Sequence, residues 1–163
     1  MTLNPDSRFY RWVIRPIVNQ LKQGTSPERL SWSVSLGVTL GIFPIMGSTS
    51  IVCVIIGHLF RLNQPILHLF KTFTYPLQLI LILVYIRLGQ MLNGVPLIKF
   101  SIPQMLGQFK DDPAKFFRDF GMAALYGIEA WAISAILLIP ILYYISLPIL
   151  KNLLEKIANK RTR

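Results

Sequence analysis

From Leu30 to Phe60 the chain carries no Asp, Glu, Lys or Arg, and Pro44-Ile45-Met46-Gly47 interrupts this run near its middle. One straight helix over the stretch would rise roughly 46 Å at about 1.5 Å per residue, well past the ~30 Å of hydrocarbon in a bilayer. Pro44 lacks an amide hydrogen and its ring clashes with the preceding turn, while Gly37, Gly41 and Gly47 permit close backbone approach. The pattern predicts a re-entrant hairpin: two helical arms that dip into the membrane and return. In the competing reading each arm crosses completely, but with only about 14 residues where about 17 are needed. Exposed non-helical backbone is costly in lipid, so the bend is expected against protein or in a wet cavity.

A second apolar region follows Arg61-Leu62-Asn63 and reaches Gly94, with Tyr75-Pro76 near its middle. It reads as a second broken element, a half-helix over 64–74 and a crossing from Pro76 to Leu92 whose one charge is Arg87. With the first region returning to its starting side, Arg61 and Lys71 are expected in the cytoplasm. Similarity between the two broken regions invites an inverted-repeat reading. A third run, Phe120 to Leu150, holds Glu129, Pro140 and Pro148 and predicts a span over 121–143 that leaves through Tyr143-Tyr144 at the interface. Residues 94–119, with Pro96, Pro103, Pro113 and Asp111-Asp112, form a connection outside the hydrocarbon, and Phe109, Phe116, Phe117 and Phe120 mark a short surface helix.

Ahead of these regions, Phe9, Val13, Ile17 and Leu21 recur every four residues, joined by Trp12 and Ile14 and flanked by Arg8, Arg11, Arg15 and Lys22. This is the pattern of an amphipathic helix, either lying in the headgroup layer or packed on the protein's own spans. Gly24-Thr25 ends it, and Ser26 with Pro27 supplies the N-cap and first position of the next helix. The expected fold is an all-α integral membrane protein: an amphipathic surface helix over 1–24, one membrane domain over 25–150 and a basic tail over 151–163.

Composition agrees, since 53% of residues are hydrophobic and 15% charged, against about 25% charged in soluble domains. The net charge of +10 collects at the two ends, in Arg8, Arg11, Arg15, Lys22 and Arg29 and in Lys151, Lys156, Lys160, Arg161 and Arg163. Flanking apolar spans, this is the positive-inside pattern and predicts both termini in the cytoplasm, with anionic membrane lipids as partners. No aromatic-basic motif accompanies the charge, which argues against nucleic acid. Residues 1–29 have no separate apolar core with a small-residue cleavage site, so no secretory signal peptide is expected. Cys53 lies in an apolar run and reads as a small buried hydrophobe.

Candidate chemistry is sparse. Gly37 and Gly41 share a helix face and allow close packing, within the monomer or in a homo-oligomer. Beyond the Pro44 break, Gly47-Ser48-Thr49-Ser50 starts a new helix with free backbone N–H groups, a positive dipole end and three hydroxyls, an arrangement suited to an anion at membrane depth. Self-capping by Ser48 or Thr49 is the plainer use of the same residues. Arg87 and Glu129 are each the only charge in their span, and similar depth makes them a candidate ion pair. His58 and His68 lack metal-ligand spacing, and Asp111-Asp112 before Pro113 reads as a solvated turn. No catalytic constellation, metal site or cofactor is expected, and the chain is not expected to be an enzyme.

At Gly37-x3-Gly41-x2-Pro44-x2-Gly47, followed by Arg61-Leu62-Asn63-x-Pro65, Pro76 and Tyr85-x3-Gly89, the sequence resembles a bacterial family of small membrane proteins known as domain of unknown function 2062, over about residues 25–150. The family favours Gln-Thr where this chain has Ser48-Thr49, and Asn-Pro where it has Tyr75-Pro76. The resemblance implies an inner-membrane protein, and relatives fused to glycosyltransferase-like domains imply a link to envelope lipid or polysaccharide metabolism. It implies no catalytic residues. Two functions follow as expectations: a transporter or handler of lipids or anionic solutes that uses broken helices, or a non-transporting scaffold or anchor for a cytoplasmic envelope enzyme of glycosyltransferase type.

Overall fold

Ser26 opens the first long helix in the way its position predicts, with extended backbone and a hydroxyl that accepts from the Arg29 amide at 3.3 Å. In the computed structural model, which describes residue 8, residues 10–97 and residues 110–161, every regular element is helical. A π-helical turn, Tyr10–Ile14, leads into α1 (Arg15–Lys22); α2 (Pro27–Gly41), α3 (Thr49–Leu59), α4 (Gln64–Leu92) and α5 (Pro113–Arg161) follow. Phe9, Pro103 and Phe109, used above to delimit elements, lie outside the described residues.

Helices α2 and α3 form the antiparallel hairpin expected from the Pro44 break. Leu40 and Cys53 pack together near the turn, and the Asn63 amide beyond α3 donates to the Ser33 hydroxyl at 2.9 Å, back beside the first turns of α2. With 15 and 11 residues the arms rise about 22 and 16 Å. Neither reaches the ~30 Å of a bilayer core.

Helix α4 departs from expectation. The sequence suggests a break at Tyr75-Pro76, but the helix runs unbroken through Pro76. Tyr75, Pro76 and Leu77 are exposed on its outer side, so the bond that proline removes is lost away from the neighbouring helices. One turn earlier, the Thr72 and Thr74 hydroxyls bond back to the carbonyls of His68, Phe70 and Lys71, the way apolar helices carry a proline. With one broken element rather than two, the basis for an inverted repeat is gone.

The same correction holds for α5. In place of a surface helix and a separate span over 121–143, one helix of 49 residues continues through Pro140 and Pro148 to Arg161. Most of the basic stretch after residue 150 continues this helix, and Leu153 and Leu154 pack beneath the bundle.

Contacts fix the directions. Gly37 faces Leu67 and Phe70, and Gly41 faces Lys71 and Thr74, so α2 and α4 run parallel. Helix α5 runs against both: Gly89 meets Tyr126, Trp131 reaches Thr39, Trp32 stacks on Tyr143 and Glu28 pairs with Lys151. At this last end, the base, Val13 and Ile17 are buried with Leu30, Val34, Ile66 and Leu150. Of the two readings of the N-terminal stripe, these contacts match packing on the protein itself.

Among the described residues two helices, Gln64–Leu92 and Pro113–Lys156, are long and apolar enough to cross a membrane. Their outer faces are oily and uncovered, with Ile80 66% and Ile136 73% exposed. Apolar faces of this extent would be an aggregation liability in water and suit lipid.

Candidate functional site

The turn between α2 and α3 is held from two sides. Gln78 is fully buried on α4, and its side-chain amide donates to the Phe43 carbonyl at 2.7 Å, while its own carbonyl oxygen has no partner. Trp131 on α5 donates through Nε1 to the Thr39 carbonyl at 2.9 Å, which satisfies a carbonyl in the last turn of α2. Its indole meets the Phe43 ring edge-on at 4.9 Å. Pro44 is buried beside Gly127. Gly47 has φ +86°, where a side chain would be strained.

Beyond this turn α3 begins without a side-chain cap. Ser48 occupies the N-cap position in helical conformation, and its hydroxyl turns back to the Ile45 carbonyl at 3.2 Å rather than to an amide of the first turn. Neither Ser48 nor Thr49 performs the self-capping that the sequence allowed, and Thr49 is buried. Ser50 accepts a hydrogen bond from the Lys71 ammonium at 2.7 Å. Of the suggested residues, Gly47, Ser48, Thr49 and Ser50 thus sit around an uncapped helix start, beside a cation from α4, while Pro44 is buried against Gly127 of α5.

Lys71 is the site residue that sequence reasoning missed. About 12 Å of helix separate it from Asn63 at the base, and its ammonium lies beside the hairpin turn. No ion pair among the described residues involves it. A positive charge next to the positive end of a helix dipole is a like-charge arrangement. The available signal was the single cation within the run from Gln64 to Ile86.

The suggested Arg87–Glu129 pair is not formed. Glu129 instead accepts from the Asn93 amide at 2.6 Å, and that amide also bonds the Gly89 carbonyl at 2.9 Å. Ile86, Gly89 and Asn93 follow the three- and four-residue spacing of the α4 face turned to α5. Arg87 is about 100° round the helix from Ile86, and exposed. Gly37 and Gly41 both serve packing within the chain: a Cβ at Gly37 would stand 2.6 Å from the Leu67 carbonyl oxygen, and one at Gly41 2.9 Å from that of Lys71. His58 is exposed on α3 and His68 half-buried on α4.

Charge is divided between the two ends. Around the base stand Arg8, Arg11, Arg15, Arg29, Arg61, Lys151 and Lys156, all exposed, against Glu28 and Glu155. Towards the other end Arg87, Lys110, Lys115 and Arg118 are balanced by Asp111, Asp112, Asp119 and Glu129. Glu28 is held below the usual carboxylate range, first by its own backbone amide at the start of α2 and then by Lys151, 3.2 Å away.

A family model described as an uncharacterized protein conserved in bacteria, DUF2062, matches residues 10–157, and the chain belongs to this family. No curated protein and no solved structure was found to match it.

Proposed function

We propose that this member of the bacterial family is a small inner-membrane protein that moves or handles an anionic lipid or solute at the tip of a re-entrant α2–α3 hairpin. In this reading α4 and α5 cross the bilayer, the cationic base faces the cytoplasm with both termini, and the hairpin turns back inside the membrane. The chain carries out no covalent chemistry; its partners are anionic lipids.

One observation carries the reading: the Lys71 ammonium bonds Ser50 in the first turn of an uncapped helix, with no carboxylate paired to it among the described residues. An anion there would offset both the lysine charge and the helix dipole, and would take up the free amides of the first turn. Broken helices whose N-termini meet anionic groups near the midplane are a recurring device of transporters. The hairpin arms, each too short to cross, support the re-entrant placement.

Reconstitution tests it. Vesicles holding the wild-type protein should scramble a fluorescent anionic phospholipid, or release a trapped organic phosphate, faster than protein-free vesicles. Lys71→Gln and Ser50→Ala should each lower that rate at least tenfold. Rates equal to those of empty vesicles for both cargoes would overturn the proposal.

A further inference from the structure

A second feature lies on the opposite side of the hairpin from Lys71. Between α2, α3 and α5 is an open cleft of about 510 Å³. Leu36 and Thr39 form its floor, Ile56 and Phe60 one wall and Trp131 the other, while Trp32 stands at the base end. The volume falls within the ~300–1,000 Å³ common for small-ligand sites, and the lining is almost wholly apolar.

The base end of the cleft has the features of a membrane interface. Trp32 stacks against Tyr143 with ring centroids 4.8 Å apart, as aromatic side chains do at headgroup level. Arg29, Trp32, Leu36 and Leu40 follow three- and four-residue steps on α2, so Arg29 continues the lining face one turn below Trp32. Arg61 stands between the lining residues Phe60 and Leu62 with φ +51°, a left-handed conformation that disfavours a side chain. Both arginines are exposed, and neither is in an ion pair among the described residues. The Ser33 hydroxyl donates to the Arg29 carbonyl and accepts from the Asn63 amide, both at 2.9 Å, so the two arginines stand on backbone that meets at the base end of the slot, and guanidinium groups bind phosphate well.

We propose that the α2–α3–α5 cleft holds one acyl chain of an anionic phospholipid whose phosphate is bound by Arg29 and Arg61. The inference rests on the membrane placement proposed above, but not on transport or on Lys71. Charge complementarity selects the occupant. A zwitterionic headgroup brings its own cation and gains less from two arginines, and the anionic cytoplasmic leaflet supplies the matching lipid.

The cleft carries its own reporters, since Trp32 and Trp131 both line it. In the full chain with Trp12→Phe, these are the only remaining tryptophans. Reconstituted with phosphatidylglycerol bearing brominated acyl chains, this protein should be quenched at least twofold more than with brominated phosphatidylcholine at equal mole fraction. Arg29→Gln/Arg61→Gln should remove the difference. Arg11→Gln/Arg15→Gln, which takes the same charge from elsewhere at the base, should keep it. Equal quenching by the two lipids would overturn the site, as would loss of the difference in the Arg11/Arg15 control, which would mean general attraction to a basic surface. Weak, concentration-dependent quenching by both lipids would assign the cleft to a second copy of the chain and equally overturn it. Mass spectrometry of lipid retained by the purified wild-type protein gives a reading independent of the variants: phosphatidylglycerol enriched over its share in the membrane supports the site, and no enrichment counts against it. Loss of flux in Lys71→Gln with equal quenching would remove the cleft and leave the proposed function standing; selective quenching without flux would do the reverse.

Discussion

Gly89 of α4 lies against the backbone carbonyl of Tyr126 of α5 so closely that a Cβ at position 89 would overlap the carbonyl group. This contact joins the two helices apolar enough to span a membrane, at the end away from the base. Because backbone rather than a movable side chain stands in the way, neither helix can yield locally. Gly89→Ala is expected to cost about 1–3 kcal/mol as an overpacking change, despite the better helix propensity of alanine. Gly121→Ala, where nothing lies within 4 Å, should instead gain about 0.5–1 kcal/mol. Thermal unfolding in detergent would check the pair, and equal shifts would show that the close approach does not matter.

Asn63 ties three helices together. Its side-chain oxygen accepts from the Ile66 amide at 3.2 Å as the N-cap of α4, its side-chain amide donates to Gln20 Oε1 at 2.5 Å, and its backbone amide donates to Ser33. Asn63→Ala should cost about 1–2 kcal/mol, the usual worth of an N-cap, with more lost if α1 detaches. Asn63→Asp keeps the cap but gives up the donor to Gln20, so it should fall between alanine and wild type. Ser33→Ala leaves the Asn63 backbone amide without its acceptor and should cost about 1–3 kcal/mol. The same unfolding assay ranks all three, and an Asn63→Asp protein no more stable than Asn63→Ala would remove the capping role.

Much of this frame is legible in the chain. Pro44 and Gly47 mark the hairpin turn, Ser26-Pro27 the start of α2, and Gly37 and Gly41 a close helix contact, because each depends on local backbone chemistry. What misleads is proline read without its neighbours. Pro76 suggests an interruption, yet it lies inside α4, where an outward-facing position and nearby threonine hydroxyls absorb the lost bond, and Pro140 and Pro148 likewise lie inside α5. Pairing was the other failure. Arg87 and Glu129 have the right depth but the wrong helical phase, and depth alone cannot choose a partner. Lys71 escaped for the same reason, since only the fold brings α3 back to it.

In the proposed function Lys71 sets stability against activity. If it is an uncompensated cation in an apolar setting, Lys71→Met should raise stability by about 1 kcal/mol, since the cost of holding a charge at that depth disappears. Flux of the anionic cargo should fall in the same variant. A melting shift together with an activity measurement separates this from a structural role. A lysine kept for its bond to Ser50 would instead destabilise the protein on removal, and Ser50→Ala would then mimic it.

The hairpin turn meets α4 at Gln78, the midpoint of that 29-residue helix, so about 21 Å of α4 extends on either side of the contact. If α4 spans the bilayer, the turn lies near the middle of it, and this determines which reagents reach it. In a Cys53→Ala background, Met46→Cys is a suitable reporter because Met46 is 51% exposed on the turn. A membrane-impermeant maleimide should label it at least tenfold more slowly, from either face, than it labels Arg61→Cys from the cytoplasmic face or Met91→Cys from the opposite one. A small permeant maleimide should narrow the gap if a wet cavity reaches Lys71. Rapid labelling of Met46→Cys from the same face as Met91→Cys would mean that both arms cross the membrane. The re-entrant turn would then be lost, and with it an anion site at membrane depth.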